Sequence, residues 1–142
     1  MSTAVPQSDA GPGELPELTF DLARALGQFP EFEYVVSPSD LADYQRLAGV
    51  DPNPDGTLPP GFAAIFGRLG YLREHRMPPG GILLGQDIRW VTPAMADLPL
   101  RIGARVTSAE ERDGKRTIVF LTTANQGGEV VAQVRITARW PK

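Results

Sequence analysis

From Ile82 onward, apolar and polar residues alternate with a period of two; before that point they do not. Ile82, Leu84, Gln86, Ile88 and Trp90 fall on one face of a first run, opposite Leu83, Gly85, Asp87, Arg89 and Val91. Leu100, Ile102, Ala104 and Val106 do the same in a second run, and Val130, Ala132, Val134, Ile136, Ala138 and Trp140 in a third. Such alternation predicts half-buried antiparallel strands. Residues 116–124 (RTIVFLTTA) are apolar on both faces in their middle, which predicts a central strand. Asp113-Gly114 and Gly127-Gly128 lie where tight hairpin turns are needed.

The first half of the chain reads differently. Residues 32–36 (FEYVV) predict a short strand, followed by Ser37-Pro38-Ser39-Asp40. Ser37 suits an N-cap, Pro38 the first helical position and Asp40 the positive end of a helix. The helix predicted over 38–48 puts Leu41, Tyr44, Leu47 and Ala48 on one stripe, and Gly49 ends it. Residues 51–61 (DPNPDGTLPPG) hold too many prolines and glycines for a regular element and predict a constrained loop. A second helix is predicted over 61–75, with Phe62, Ile65, Phe66, Leu69 and Leu72 on a broad apolar face. Ala63, Ala64, Gly67 and Gly70 leave much of the remainder small, so this helix is expected to be enclosed. Residues 18–26 predict a short docking helix, and residues 1–16, small and rich in Gly and Pro, a flexible tail. The division expected is therefore a tail (1–16) and one domain (17–142). Its class is α+β, with about five antiparallel strands curled around one enclosed helix.

Composition narrows the chemistry. The chain has 142 residues, 42% hydrophobic and 22% charged, as expected of a soluble globular domain. A net charge of −3 supplies no global basic field, so neither nucleic acid nor an acidic membrane surface is an expected partner. With no cysteine there is no disulfide, thiol nucleophile or thiolate metal site, and a single histidine, His75, excludes a multi-histidine zinc site within one chain. No apolar run approaches the ~20 residues that span a bilayer. The N-terminus lacks the pattern of a secretory signal, so the expected location is cytoplasmic.

In this order, four stretches of the sequence carry a resemblance: FEYVVSPSDLADYQRLAG (32–49), Leu58-Pro59-Pro60-Gly61-Phe62, GQDIRWVTP (85–93), and NQGGEVV (125–131). Together they resemble the MaoC-like hydratase/dehydratase group of hotdog proteins, over about Phe32 to Trp140. The likeness is strongest to the N-terminal fatty-acid-synthase-dehydratase-like domains and to the non-catalytic subunits of two-component dehydratases. It implies a hotdog fold and an acyl thioester of coenzyme A or acyl carrier protein as substrate, with no further cofactor. It also implies a homodimer, or a heterodimer with a catalytic MaoC-like subunit. Active members carry Y-x-x-L-(S/A)-G-D-x-N-P-x-H before the central helix, where the Asp and His hold the water that adds to an enoyl thioester. Here Tyr44, Leu47, Ala48 and Gly49 match; Val50 intrudes; Asp51, Asn53 and Pro54 match one position later. The histidine position falls on Gly56, with Asp55 beside it.

The resemblance thus makes Asp51, Asn53 and Asp55 the candidate catalytic residues, and each has an ordinary alternative. Asp51 is either a surviving catalytic carboxylate or a turn residue in a proline-rich loop. Asp51 and Asp55 could form a carboxylate pair in which one pKa is raised. Pro60, Gly61 and Phe62 are the candidate substrate-binding residues, because N–H groups at a helix start can polarise a thioester carbonyl. His75 lies about 20 Å from that helix start at 1.5 Å per residue, which separates it from Asp51 within one subunit. Arg68, Arg73, Arg76 and Arg89 are either phosphate ligands or solvated surface residues, and Trp90 and Trp140 are core or dimer-interface residues. The alternative enzyme, a hotdog acyl-CoA thioesterase, needs a carboxylate on or near the central helix, where Glu74 is the only acid between Ala63 and His75. A non-enzymatic ligand-binding or assembly module is the third reading.

Overall fold

A computed structural model describes residues 15–142. Its elements are α1 (Phe20–Leu26), β1 (Phe32–Tyr34), α2 (Pro38–Ala48), α3 (Ala63–Leu72), β2 (Ile82–Trp90), β3 (Leu100–Arg112), β4 (Lys115–Gln126) and β5 (Glu129–Trp140). A single 3-10 turn, Pro60–Phe62, leads into α3. The five strands form one sheet in the order β1-β3-β4-β5-β2, and every neighbouring pair is antiparallel. The strand that is apolar on both faces, β4, is the central one, as its pattern predicts. Both hairpin turns have positive φ at their two central residues, Asp113 and Gly114 in one and Gly127 and Gly128 in the other. That backbone matches the right-handed twist of the strands it joins.

α3 lies against the inner face of β3, β4 and β5. Phe66, Gly67, Gly70 and Tyr71 are its buried contacts, meeting Ile102, Phe120, Val134 and Ile136 of the core. Gly67 and Gly70 are required by this approach: a Cβ on Gly67 would come within 2.8 Å of Val134 Cγ1, and one on Gly70 within 2.6 Å of Thr122 Oγ1. Thr122, fully buried on β4, donates its hydroxyl to the Gly67 carbonyl at 2.7 Å and locks helix to sheet.

Four expectations need correction. α3 ends at Leu72 and not at 75, because the chain beyond it joins a short pairing with the N-terminal segment. Arg73 keeps helical dihedrals and donates its N–H to the Leu69 carbonyl as the C-cap, and beyond it Arg76 N–H donates to the Pro16 carbonyl and Leu18 N–H to the Arg76 carbonyl, both at 2.9 Å. The apolar stripe of α2 is only half used: Ser37 caps the helix and Gly49 closes it in the left-handed region, yet Leu47 is 85% exposed. Ile65 of α3 is likewise exposed. The alternation predicts a half-buried β2, but Ile82 to Arg89 are exposed on both faces, because β2 is an edge strand that meets α3 at its end, where Trp90 contacts Phe66. Of the predicted tail, residues 1–14 lie outside the described residues. Leu15 and Pro16 are held by Arg76, whose Nε donates to the Leu15 carbonyl at 3.0 Å.

Candidate functional site

Between the proline-rich loop and the end of β2 lies an open cleft of about 480 Å³, inside the roughly 300–1,000 Å³ range of small-molecule sites. One wall is Asn53, Pro54, Asp55, Thr57, Leu58 and Pro60; the other is Trp90, Val91, Thr92 and Pro93. The loop wall is held from within. Asn53 Nδ2 donates to the Thr57 carbonyl at 3.0 Å and to Thr57 Oγ1 at 3.1 Å. Asp55 Oδ1 accepts from Thr57 N–H at 3.1 Å and from its hydroxyl at 2.7 Å. These hydrogen bonds, the hydroxyl foremost, hold the fully exposed Asp55 carboxyl below its ordinary pKa of 3.8. At neutral pH Asp55 is an acceptor only. Gly56, in the histidine's place, adopts a φ of +79°, which L side chains rarely take.

A second loop supports the first from outside. Thr57 bridges Met95 antiparallel, Ala96 N–H donates to the Gly56 carbonyl at 3.0 Å, and Leu58 N–H to the Ala94 carbonyl at 2.8 Å. The side chain of Gln126, at the end of β4, holds this second loop through Met95 and Leu98.

The remaining candidates are scattered. Asp51 is exposed and does not line the cleft, so the structure does not bring it together with Asn53 and Asp55. Pro60 is on the cleft wall. Phe62 is buried, with Tyr44 edge-on to its ring at 5.3 Å, and its N–H already donates to the Pro59 carbonyl at 3.0 Å. The Ala63 N–H is turned to the Pro60 and Gly61 carbonyls. Gly61 itself lies against the Tyr44 hydroxyl, where a Cβ would collide.

The single histidine is far from this chemistry. His75 stands edge-on to Phe29 at 6.2 Å, beside a cavity of about 10 Å³, and its Nδ1 has no hydrogen-bond partner. Glu74, the acid a thioesterase reading needs, lines that same small cavity and not the cleft. Arg73 lies over the Phe32 ring at 4.5 Å, Arg76 pairs with Glu17 at 2.9 Å, and Arg68 and Arg89 are exposed away from the cleft wall. Trp140 is core, its Nε1 donating to the Leu18 carbonyl at 2.8 Å. Trp90 is a half-buried cleft residue whose Nε1 donates to the Pro60 carbonyl at 2.9 Å. Thr57, Trp90 and Gln126 are therefore the residues that sequence reasoning missed as parts of the site. Trp90 and Gln126 had a signal, their positions in the GQDIRWVTP and NQGGEVV stretches.

No protein-family model matches the chain, and no curated protein matches it in sequence. Solved structures do match in fold. The HadBC (3R)-hydroxyacyl-ACP dehydratase complex of Mycobacterium tuberculosis superposes with a TM-score of 0.64 at 19% identity, over 79% of this chain and 92% of that one. The (R)-hydratase of A. caviae involved in PHA biosynthesis gives 0.59 at 17% identity, over 80% and 94%. A thioesterase of Thermus thermophilus complexed with coenzyme A and Zn gives 0.59 at 13% identity, over 79% and 78%. The chain has the hotdog fold of these proteins, in agreement with the MaoC-like resemblance in its sequence. Among the described residues, no helix is long and apolar enough to cross a membrane.

Proposed function

We propose that this hotdog chain binds an acyl thioester, of coenzyme A or acyl carrier protein, as the non-catalytic partner of an active MaoC-like hydratase or dehydratase subunit. One observation carries the reading. The cleft sits where the resemblance puts the reaction, yet its wall offers no proton donor of suitable pKa. Gly56 has no side chain to donate, and Asp55 is kept ionised by Thr57. Addition of water to an enoyl thioester needs an acceptor and a donor on one water, and loss of one member commonly costs ~10²–10⁴ in rate.

Two features support a partner subunit. β2 pairs with β5 on one edge and leaves the other edge and both faces exposed. A nine-residue edge strand that exposes Ile82, Leu83, Leu84 and Ile88, with Asp87 and Arg89 its only charges, is ordinarily paired or covered, and the β2 strand of a second hotdog subunit fits it. HadBC, which shares this fold, is a complex of dehydratase subunits. The thioesterase reading has the fold in its favour but no carboxylate on α3 facing the cleft.

The test is hydration of crotonyl-CoA by the purified chain, alone and mixed with a MaoC-like subunit that has an intact Asp and His. The expected result is negligible turnover alone and an increase over the active subunit's own rate on mixing. Robust turnover by the isolated chain, abolished by Asp51→Asn or Asp55→Asn, would overturn the proposal.

A further inference from the structure

The cleft is separated from the interior by one aromatic pair. Trp90 ends β2 with its indole at the cleft, fixed at two points: the Nε1 hydrogen bond to the Pro60 carbonyl and an edge-to-face contact with Phe66 of α3, centroids 6.1 Å apart at 86°. Phe66 is fully buried. Beyond it, α3 lies directly on the sheet. Gly67 touches Val134, Gly70 touches Thr122 and Ala104, and the Thr122 hydroxyl is bonded to the helix backbone.

We infer that Trp90, backed by Phe66, is the specificity-determining residue that limits the length of the acyl chain this subunit accepts. The inference rests on the acyl-thioester reading of the cleft and adds to it the class of acyl group. A thioester carbonyl at the Pro60 end of the cleft directs its chain toward the indole. There it meets a ring that can neither swing outward without breaking the bond to Pro60 nor move inward against Phe66. Close-packed interiors leave no room for a chain to thread behind such a wall, so the ligands favoured are thioesters of about two to four acyl carbons.

The experiment is calorimetric titration of the full chain with acetyl-, butyryl- and octanoyl-CoA, for wild type, Trp90→Ala and Trp90→Leu. Wild type should bind acetyl- and butyryl-CoA and gain nothing from octanoyl. Trp90→Ala should bind octanoyl-CoA at least tenfold more tightly than wild type, since each newly buried methylene contributes roughly fourfold. The length profile is read as the ratio of octanoyl- to acetyl-CoA affinity, which should rise at least tenfold in Trp90→Ala. Trp90→Leu keeps an apolar wall of smaller size and should move the same way, which preserves the test if the alanine variant does not fold. Affinity that climbs steadily to octanoyl in wild type, or a length profile unchanged in the folded variants, would overturn the inference alone. Absence of binding to every CoA thioester, in wild type and variants, would overturn the acyl-thioester reading itself and the inference with it.

Discussion

The side-chain amide of Gln126 grips the backbone of Met95 from both sides. Its Oε1 accepts from Met95 N–H at 2.8 Å, and its Nε2 donates to the Met95 carbonyl at 3.0 Å and the Leu98 carbonyl at 3.1 Å. Met95 in turn bridges Thr57, the residue on which Asn53 and Asp55 converge. A side chain at the end of β4 thus sets the shape of a cleft wall nearly seventy positions earlier in the sequence.

Replacing Gln126 should therefore loosen the cleft more than the fold. Gln126→Ala is expected to cost about 1 kcal/mol, the net value of ordinary hydrogen bonds. Faster amide hydrogen exchange should be confined to Met95, which loses its acceptor, and to Leu58 and Ala96, the donors that join the two loops. Gln126→Glu should be worse, because a carboxylate aims charge at two carbonyls that need donors. Exchange that rises uniformly over the sheet would show that Gln126 stabilises the whole molecule and not these loops.

The contact between α3 and the sheet should dominate stability. Phe66→Ala leaves a cavity in a fully buried site and should lower unfolding free energy by about 3–5 kcal/mol. Thr122→Val keeps the volume and removes the hydroxyl bonded to Gly67, for a loss of about 1 kcal/mol. Urea denaturation measures both. An unchanged midpoint for Phe66→Ala would mean that α3 is not enclosed.

Alkaline pH should destabilise the protein through Tyr71. Burial pushes its phenol up to about 12, and its ring is stacked on Phe120 at 3.8 Å. Below pH 10 the phenol is protonated in both folded and unfolded chains, so its contribution is fully present. Between pH 10 and 12 the unfolded chain gives up the proton first, and stability falls by roughly 2 kcal/mol. Tyr71→Phe should show a smaller loss between pH 9 and 11.5 than wild type. Identical losses would place the alkaline sensitivity elsewhere.

Association should depend on the free edge of β2. Ile88, partly exposed beside Val134, is a point where charge disturbs a paired edge and not the core. Ile88→Lys should abolish assembly with itself or a partner while leaving the thermal midpoint of the monomer within a few degrees. Sedimentation that shows wild type as a 15.4 kDa monomer, with and without an active MaoC-like subunit, would count against pairing through this strand.

Much of this architecture is written locally in the chain. Period-two alternation marks β2, β3 and β5, and the doubly apolar run marks β4 as central, because pleated strands send neighbouring side chains to opposite faces. Ser37, Pro38 and Gly49 bound α2 because capping is chemistry between residues a turn apart. Gly67 and Gly70 announce an enclosed helix, and the absence of the motif histidine is visible at Gly56. Tertiary structure decided the rest. Period-two alternation looks the same in β2 as in β3 and β5, so the exposure of β2 follows only from its place in the sheet and what packs on it. Whether Asp55 is free or committed depends on where Thr57 turns its hydroxyl, and Thr57 is itself placed by Met95 and Gln126. Trp90 reads as core or interface by composition. It becomes a wall of the cleft because sheet pairing carries the end of β2 to the start of the 3-10 turn, thirty residues earlier in the chain, where the Pro60 carbonyl fixes its indole. Contacts between residues so far apart have no local signature, since only closure of the sheet around α3 brings them together.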